Sequence, residues 1–305
     1  MACSARVEYR FGDLVVACTN VDRVVFPDDG ITKGDVIAYY HAIADAMVPE
    51  LERRPLSVVR YTKGIGQGGF FQKHRQKHYP AWIESVLLGT KTRVDYPLCD
   101  SPAALVYFAN QGAIEFHVWT SRAEAPEHPD LLVFDLDPPE GRFDLVRATA
   151  LALRDLFGEL ELPAFVKTTG GKGLHVVAPL DGRAPFGEVA ALCDRISRLL
   201  CARQPADLTI EFYKKDRGDR LFLDTMRNSL GATIAAAYSL RGRAGAPVSL
   251  PIEWREVEDA ALTPNGFTLR DVPRRLDRLG DPWAKLRTAP GSIERAAHRL
   301  DQLTS

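Results

Sequence analysis

The chain has 305 residues, 46% of them hydrophobic and 26% charged, enough apolar material to bury one large core or two coupled ones. Its 39 Lys and Arg against 40 Asp and Glu give a formal net charge of −1, which excludes a histone-like coat of positive charge but leaves room for a local basic groove. No apolar run approaches the roughly 20 residues that span a bilayer; the N-terminal MACSARVEYRFG lacks the apolar stretch of a secretory signal, and five scattered cysteines without a CxxC pair argue against a zinc ribbon or disulfide framework, so a cytoplasmic enzyme is expected.

Residues 14–17 read as a short strand. Thr32 is placed to cap a helix, with Asp35 three residues on. Ile37, Tyr40, Ala44, Met47 and Leu51 keep one face of that helix apolar at spacings of 3, 4, 3 and 4. Pro49 is expected to kink its last turn. Strands are expected at 56–61, 104–109 and 113–119, with a basic, glycine-rich stretch among them. The second half opens on the uninterrupted apolar strand 131–136. A helix through Leu145, Ala148, Ala152 and Leu156 follows, then strands near 164–167 and 174–178. A second helix carries Val189, Leu192, Ile196 and Leu199, and strands near 208–213 and 220–224 come after it. This strand–helix–strand–strand–helix–strand order matches a split βαβ, ferredoxin-like arrangement. After residue 282 one more helix is expected from Ser292, with Ile293, Ala297 and Leu300 on one side. No repeat, low-complexity tract or flexible linker interrupts the chain. Two closely packed subdomains are expected over 1–125 and 126–282, with a tail over 283–305.

The strand LLVFDLD ends in Asp135 and Asp137, and Pro138-Pro139 stop it at once. Residues two apart in a strand share a face, so both carboxylates project together at its exit. Adjacent like charges call for a cation between them, and Mg²⁺ or Mn²⁺ favours oxygen ligands. A third acid, Asp224, ends the alternating stretch RLFLD. If that strand pairs beside the first, three carboxylates converge, as two-metal phosphoryl chemistry requires. The residues alone leave a second reading, in which Asp135 and Asp137 cap the loop ahead of the next helix.

Between two short strands lies TTGGKGLH, residues 168–175. Its glycines let backbone N–H groups crowd an anion, and Lys172 and two hydroxyls add charge and donors. It has no GxxxxGK frame and is not a Walker A loop. Phosphate binding and a plain tight hairpin are the two readings. His117 shares a strand face with Glu115 and Trp119, and spacing alone assigns it no function. The stretch 64–79 mixes flexible backbone, cations and the aromatic pair Phe70 and Phe71, which fits stacking on exposed bases with phosphate attraction, or a core plug beneath a solvated face.

Taken together these motifs resemble the archaeo-eukaryotic primase superfamily, in the order hhDhD, then a Ser/Thr-Gly-Gly-Lys-Gly-Leu-His turn, then hD. More closely, the chain is similar to the polymerase domain of bacterial DNA ligase D, which serves non-homologous end joining. The likeness runs from VDRVVFPDDGITKGDVIAYY through GGFFQKH, AIEFHVW, LLVFDLDPPEG, TTGGKGLHVVAPL and FLDTMRN to AAYSLRGRAGAPVS, residues 21–249.

The resemblance implies an α+β primase-polymerase fold, its ferredoxin-like or RRM-like catalytic subdomain packed on the N-terminal α/β subdomain. It implies that Asp135, Asp137 and Asp224 hold two Mn²⁺ or Mg²⁺ ions. His117, Thr169, Lys172, His175 and Arg241 are then expected to contact the triphosphate of an NTP or dNTP substrate. Arg23 and Lys33 fall where relatives bind the 5′-phosphate at a DNA break or gapped duplex. Phe70 and Phe71 match aromatics that meet the template, and Arg217 lies in a loop implicated in end bridging. Ku and an ATP-dependent DNA ligase are the candidate protein partners, a pairing the sequence leaves open. Arg23 stands where lysine is usual and Thr169 where serine is usual, which retunes contacts without removing the charge or hydroxyl. No KxDG adenylation motif occurs, so nick sealing is not expected of this chain. A metal-dependent nuclease and a non-catalytic end-binding module are the competing readings.

Overall fold

The apolar run at 131–136 can be fully covered only inside a sheet with cover on both faces. The computed structural model, which describes residues 6–89 and 92–304, places it there. By contacts between Cα atoms the chain divides into two compact units. The first comprises the described residues of Met1–Trp119, Ala235–Leu250 and Phe267–Gly280; the second those of Thr120–Ile234, Pro251–Gly266 and Asp281–Ser305. The units interleave along the chain, so the expected cuts at 125 and 282 do not separate them. Segments 235–250 and 267–280 fold with the N-terminal part, and 281–304 folds with the central part.

In the first unit, β1 (Arg6–Phe11) and β2 (Leu14–Thr19) form an antiparallel hairpin, and β3 (Val24–Phe26) pairs with β4 (Ile31–Thr32). Thr32 caps α1 (Lys33–Ala42) as its sequence promises. The Asp35 N–H donates to Thr32 Oγ1 at 3.1 Å, and the Thr32 N–H donates to the Asp35 carboxylate at 2.8 Å. The expected helix breaks at Ile43, six residues before Pro49. Ile43 leaves the helical basin (φ −102°, ψ 11°), and its carbonyl accepts from both Ala46 and Met47, which starts α2 (Ala44–Leu51) with Pro49 inside it.

β5 (Leu56–Arg60) then pairs with β6 (Phe70–Gln72) on one side and β9 (Ala113–Trp119) on the other. β7 (Ser85–Leu88) and β8 (Val94–Pro97) make a separate hairpin. The strand expected at 104–109 is instead a helix, α3 (Pro102–Asn110). Ser101 Oγ accepts from the Ala104 N–H at 3.2 Å, and Pro102 occupies the first turn. Ala103, Ala104, Leu105, Val106, Phe108 and Ala109 are all buried, so the run carries no polar stripe to mark a period of 3.6.

The second unit carries the motif-bearing sheet. Its strands are β10 (Leu131–Asp137), β11 (Phe165–Thr168), β12 (Leu174–Pro179), β13 (Leu208–Thr209) and β14 (Leu221–Asp224). β15 (Thr233–Ala235) lies where the chain leaves the unit, and β16 (Pro251–Ile252) where it has returned. The sheet order is β13-β14-β10-β12-β11-β16. With β10, β11, β12 and β14 counted one to four, its centre reads 4-1-3-2, all antiparallel, which is the ferredoxin-like order the element sequence implied.

Helices α4 (Phe143–Glu159) and α5 (Phe186–Arg203) make the two crossovers. α4 buries Leu145, Val146, Thr149, Ala150, Leu153, Leu156 and Phe157, a stripe turned away from the expected Ala148, and Phe157 meets Phe134 of β10 at 5.9 Å between ring centres. α5 completes its stripe with Leu200, not Leu199. The strand expected at 208–213 stops at Thr209, because Thr209 Oγ1 accepts from the Glu211 N–H and turns the chain away. Phe212 and Tyr213 are left exposed ahead of α6 (Lys214–Arg217). The helices α7 (Trp254–Glu258) and α9 (Ile293–Thr304) belong to this unit, and α8 (Val272–Leu279) to the first. α9 seats Ile293, Ala296 and Leu300 where Ala297 was expected. Cys18, Cys99, Cys193 and Cys201 are free thiols, and Cys3 lies outside the described residues.

Candidate active site

The register of β14 on β10 sets Asp135 directly opposite Asp224, and Asp137 opposite Phe222. Opposed residues carry their Cβ atoms about 4.5–5.5 Å apart, so all three sequence-expected carboxylates lie on two neighbouring strands. Asp135 is only 6% exposed. One of its oxygens lies 3.3 Å from His175 Nε2, and the other accepts from Arg227 Nε at 3.2 Å. Burial pulls its proton affinity up, but His175 and Arg227 hold the carboxyl well below the usual carboxylate range. Asp137 is shifted the other way: burial and the charges of Asp135 and Asp224 raise it, against Arg227 and Lys172. Asp224 Oδ1 accepts from the Met226 N–H at 2.8 Å.

Among the described residues no three His, Cys, Asp or Glu side chains are gathered around an ion position. The chemistry of the donors nonetheless fits a hard divalent cation. They are three carboxylates on adjacent strands, and hard divalent cations favour oxygen ligands. For Asp135 to join such a site, its pairing with Arg227 has to yield.

The glycine-rich turn joins β11 to β12. Thr169 Oγ1 accepts from the N–H groups of Gly171 and Gly173 at 3.2 Å each, and the hydroxyl donates to the Gly173 carbonyl at 3.1 Å. It is a brace within the turn, where the sequence suggested a phosphate contact. Gly170 has φ +62°, a conformation that favours glycine, and a Cβ on Gly173 would run into the Leu136 carbonyl. Lys172 stands exposed on this turn. With Asp137, Lys214, Arg217 and Arg220 it lines a cavity of about 650 Å³ in the second unit. His175 is buried and turned to Asp135, not presented to a solvent-borne phosphate, and burial followed by the charge of Lys167 lowers its pKa to about 4. Arg217 spends its guanidinium on the carbonyls of Glu211 (2.9 Å) and Phe212 (2.6 Å) and stacks on Phe222 at 3.9 Å. It shapes its own loop in place of reaching outward.

The other expected residues lie in the first unit. His117 and Arg241 meet on a residue to which the sequence assigned no role, Glu115. Its carboxylate receives Arg241 Nε at 2.9 Å, the Gly242 N–H at 3.0 Å and the Tyr61 hydroxyl at 3.0 Å, with His117 Nε2 at 3.2 Å. Period-two alternation in β9 placed Glu115 and His117 on one face, but the partners at 61 and 241 are distant in sequence and left no local signal.

Burial is the largest influence on Glu115 and acts upward, yet His117, Arg241 and the Gly242 N–H bring its pKa down to about 2 from 4.5. A carboxyl whose folded pKa is depressed stabilises the fold above its unfolded pKa and loses that contribution as pH falls through the folded one. Glu115→Gln is therefore expected to melt lower than the parent at pH 7, by on the order of 3 kcal/mol. That gap should close between pH 4.5 and about 2. Calorimetric melting of both proteins across that range checks it, and a gap that stays constant would contradict it.

Lys33 is 6% exposed and donates to the Thr19 carbonyl at 2.6 Å and Asn110 Oδ1 at 2.7 Å. Burial, then the charge of Arg23, lowers its pKa to about 8. Arg23 donates to the Thr62 carbonyl at 2.6 Å and keeps its Nε buried without a partner. Phe70 and Phe71, adjacent on β6, are 47% and 54% exposed, so neither plugs the core. The Arg60 guanidinium lies over Phe70 at 5.5 Å, and the Phe71 ring meets His117 at 5.8 Å.

The family model of the LigD primase-polymerase domain matches residues 32–283. The multifunctional non-homologous end joining DNA repair protein LigD of Mycobacterium tuberculosis is 35% identical over 281 residues, covering 89% of this chain and 37% of that protein. The LigD of Pseudomonas aeruginosa is 37% identical over 278 residues, covering 88% and 32%. The bifunctional LigD of Bacillus subtilis is 31% identical over 268 residues, covering 87% and 43%. The chain thus spans well under half the length of these curated relatives. Among solved structures, the polymerase domain of Mycobacterium tuberculosis ligase D in complex with DNA superposes with a TM-score of 0.85 at 34% identity, covering 90% of this chain and 99% of that one.

Proposed function

Because the chain belongs to the LigD primase-polymerase domain family, we propose that it is a template-directed nucleotidyltransferase that adds ribo- or deoxyribonucleotides to a primer 3′-hydroxyl at gaps and broken ends in bacterial non-homologous end joining. The observation that carries this reading is the register of β14 on β10, which aligns Asp224 with Asp135 beside Asp137.

The 3′-hydroxyl attacks the α-phosphorus in line and pyrophosphate leaves. Asp135, Asp137 and Asp224 would hold two divalent cations, manganese or magnesium, whose chemistry there is to lower the proton affinity of the attacking hydroxyl and to neutralise the leaving pyrophosphate. Lys172, exposed beside Asp137 in the cavity, draws the triphosphate by charge. Thr169 keeps the turn in shape so that Lys172 points outward. Glu115 orients His117 and Arg241, which we assign to phosphate contacts of the nucleotide. Phe70 and Phe71 offer ring faces to template bases, a contact worth about 1–3 kcal/mol per stacked base. The basic loop around Arg217 is assigned to contacts with DNA ends.

Arg23 and Lys33 hold like charges near each other, with an unpartnered guanidinium Nε, an arrangement that a 5′-phosphate would relieve. Arg23→Gln is expected to lower the preference for 5′-phosphorylated over unphosphorylated gapped duplex on the order of tenfold, the loss of one charge-assisted hydrogen bond. Fluorescence anisotropy on the two DNAs measures it, and equal weakening on both would remove the role. Among the described residues no helix is long and apolar enough to cross a membrane. We place the reaction in the cytoplasm, with Ku and an ATP-dependent ligase as partners.

One gel tests the reading. A labelled primer in a gapped duplex is incubated with Mn²⁺ and NTPs or dNTPs. Lengthening supports nucleotide addition, shortening without nucleotide indicates a nuclease, and an unchanged primer indicates an end-binding module.

A further inference from the structure

Four titratable side chains form one row across the sheet of the second unit. Lys167 on β11 stands opposite His175 on β12, His175 opposite Asp135 on β10, and Asp135 opposite Asp224 on β14. Lys167 is fully buried, and His175 and Asp135 are 4% and 6% exposed. The His175 ring has a carboxylate neighbour on one side, with Nε2 3.3 Å from Asp135 Oδ1, and the strand bearing Lys167 on the other. Its Nδ1 is buried without a hydrogen-bond partner. One arrangement suits both neighbours: the proton on Nε2 is aimed at the carboxylate, and Nδ1 keeps its lone pair in the field of the ammonium. The other tautomer would set two lone pairs against each other across the 3.3 Å contact.

We propose that Lys167 is a positioning residue: its buried charge fixes His175 as the Nε2–H tautomer, and His175 in turn holds the Asp135 carboxylate in the orientation from which it joins Asp137 and Asp224 in cation binding. Arg227 grips only the other oxygen of Asp135 and leaves this task to His175. The last link rests on the metal assignment proposed above, whereas the tautomer is a property of the protein alone.

The test is ¹⁵N-imidazole NMR of the metal-free protein, with the His175 signal identified by its loss in His175→Gln. The parent is expected to show the Nε2–H tautomer, and Lys167→Met to lose that pure form. Mn²⁺ affinity, read from the electron paramagnetic resonance of the free ion, is expected to fall about tenfold in Lys167→Met, as for other partners that orient a ligand. His175→Gln, whose amide N–H stands where Nε2–H stood, should bind Mn²⁺ more tightly than His175→Leu. A parent ring in the Nδ1–H or doubly protonated form overturns the proposal. So does a folded Lys167→Met with an unchanged tautomer or unchanged Mn²⁺ affinity, or equal Mn²⁺ affinity in His175→Gln and His175→Leu. If Lys167→Met does not fold, Lys167→Gln, which keeps a polar side chain and removes the charge, is read by the same two measurements with the same expected and overturning results. Failure of the parent itself to bind Mn²⁺ overturns the last link together with the metal assignment, and the tautomer, read without metal, separates that outcome from a failure of the Lys167 link.

Discussion

Asp137→Asn is expected to add no measurable nucleotide to a primer while remaining folded and bound to 5′-phosphorylated DNA. The carboxylate that is replaced sits beside Asp135 and Asp224, and burial, then their charges, raises its proton affinity. The ionised form is therefore disfavoured in the fold, and its replacement by a neutral amide should leave the melting temperature equal or higher at pH 7. The opposite holds for activity. A cation site that lacks one of its three carboxylates forfeits several kcal/mol of charge stabilisation in the transition state, about 10³-fold or more in rate. Single-turnover extension, anisotropy on gapped DNA and a melting curve read the three parts. Extension at the parent rate would remove Asp137 from the site.

The second large effect lies in the turn. A Cβ at Gly173 would collide with the Leu136 carbonyl oxygen and come within 2.8 Å of the carbonyl carbon, and both are backbone atoms that no rotamer change can move aside. Leu136 immediately precedes Asp137, so a shift that makes room also displaces the Asp137 carboxylate. Gly173→Ala should cost on the order of 4 kcal/mol or more, about 6 °C or more in melting temperature, and should abolish extension. Gly187→Ala is the control: it lies in α5 with nothing within 4 Å of its added Cβ, and should melt at or slightly above the parent. Gly173→Ala melting with the parent would show that the close approach of β10 to the turn does not constrain the site.

The parts of this molecule that were legible in its sequence are those written in consecutive residues. LLVFDLD announced a covered strand ending in paired acids, Thr32 and Asp35 announced a helix start, and two amphipathic helices between short strands announced the split βαβ order. The run at 104–109 was not legible as a helix, because burial on nearly every face erases the polar stripe. Its signals were the Ser101 cap and Pro102. Register was not legible either. Nothing local tells that Lys167, His175, Asp135 and Asp224 fall in one row, since strand offsets are set by packing and turn geometry. Glu115 escaped for a related reason, its donors at 61 and 241 being distant in sequence. The family resemblance implied phosphate contacts for Thr169 and His175, and it gave no sign that the Thr169 hydroxyl faces its own turn or that His175 Nε2 faces Asp135.

Anomalous diffraction from crystals grown with Mn²⁺ and a non-hydrolysable nucleotide tests whether Asp135, Asp137 and Asp224 jointly hold divalent cations for nucleotide addition. Manganese peaks at coordination distance from oxygens of all three aspartates, with Arg227 withdrawn from Asp135, are the predicted result. Manganese and nucleotide bound elsewhere, with the Asp135–Arg227 pair intact in a protein that still extends primers, would contradict it.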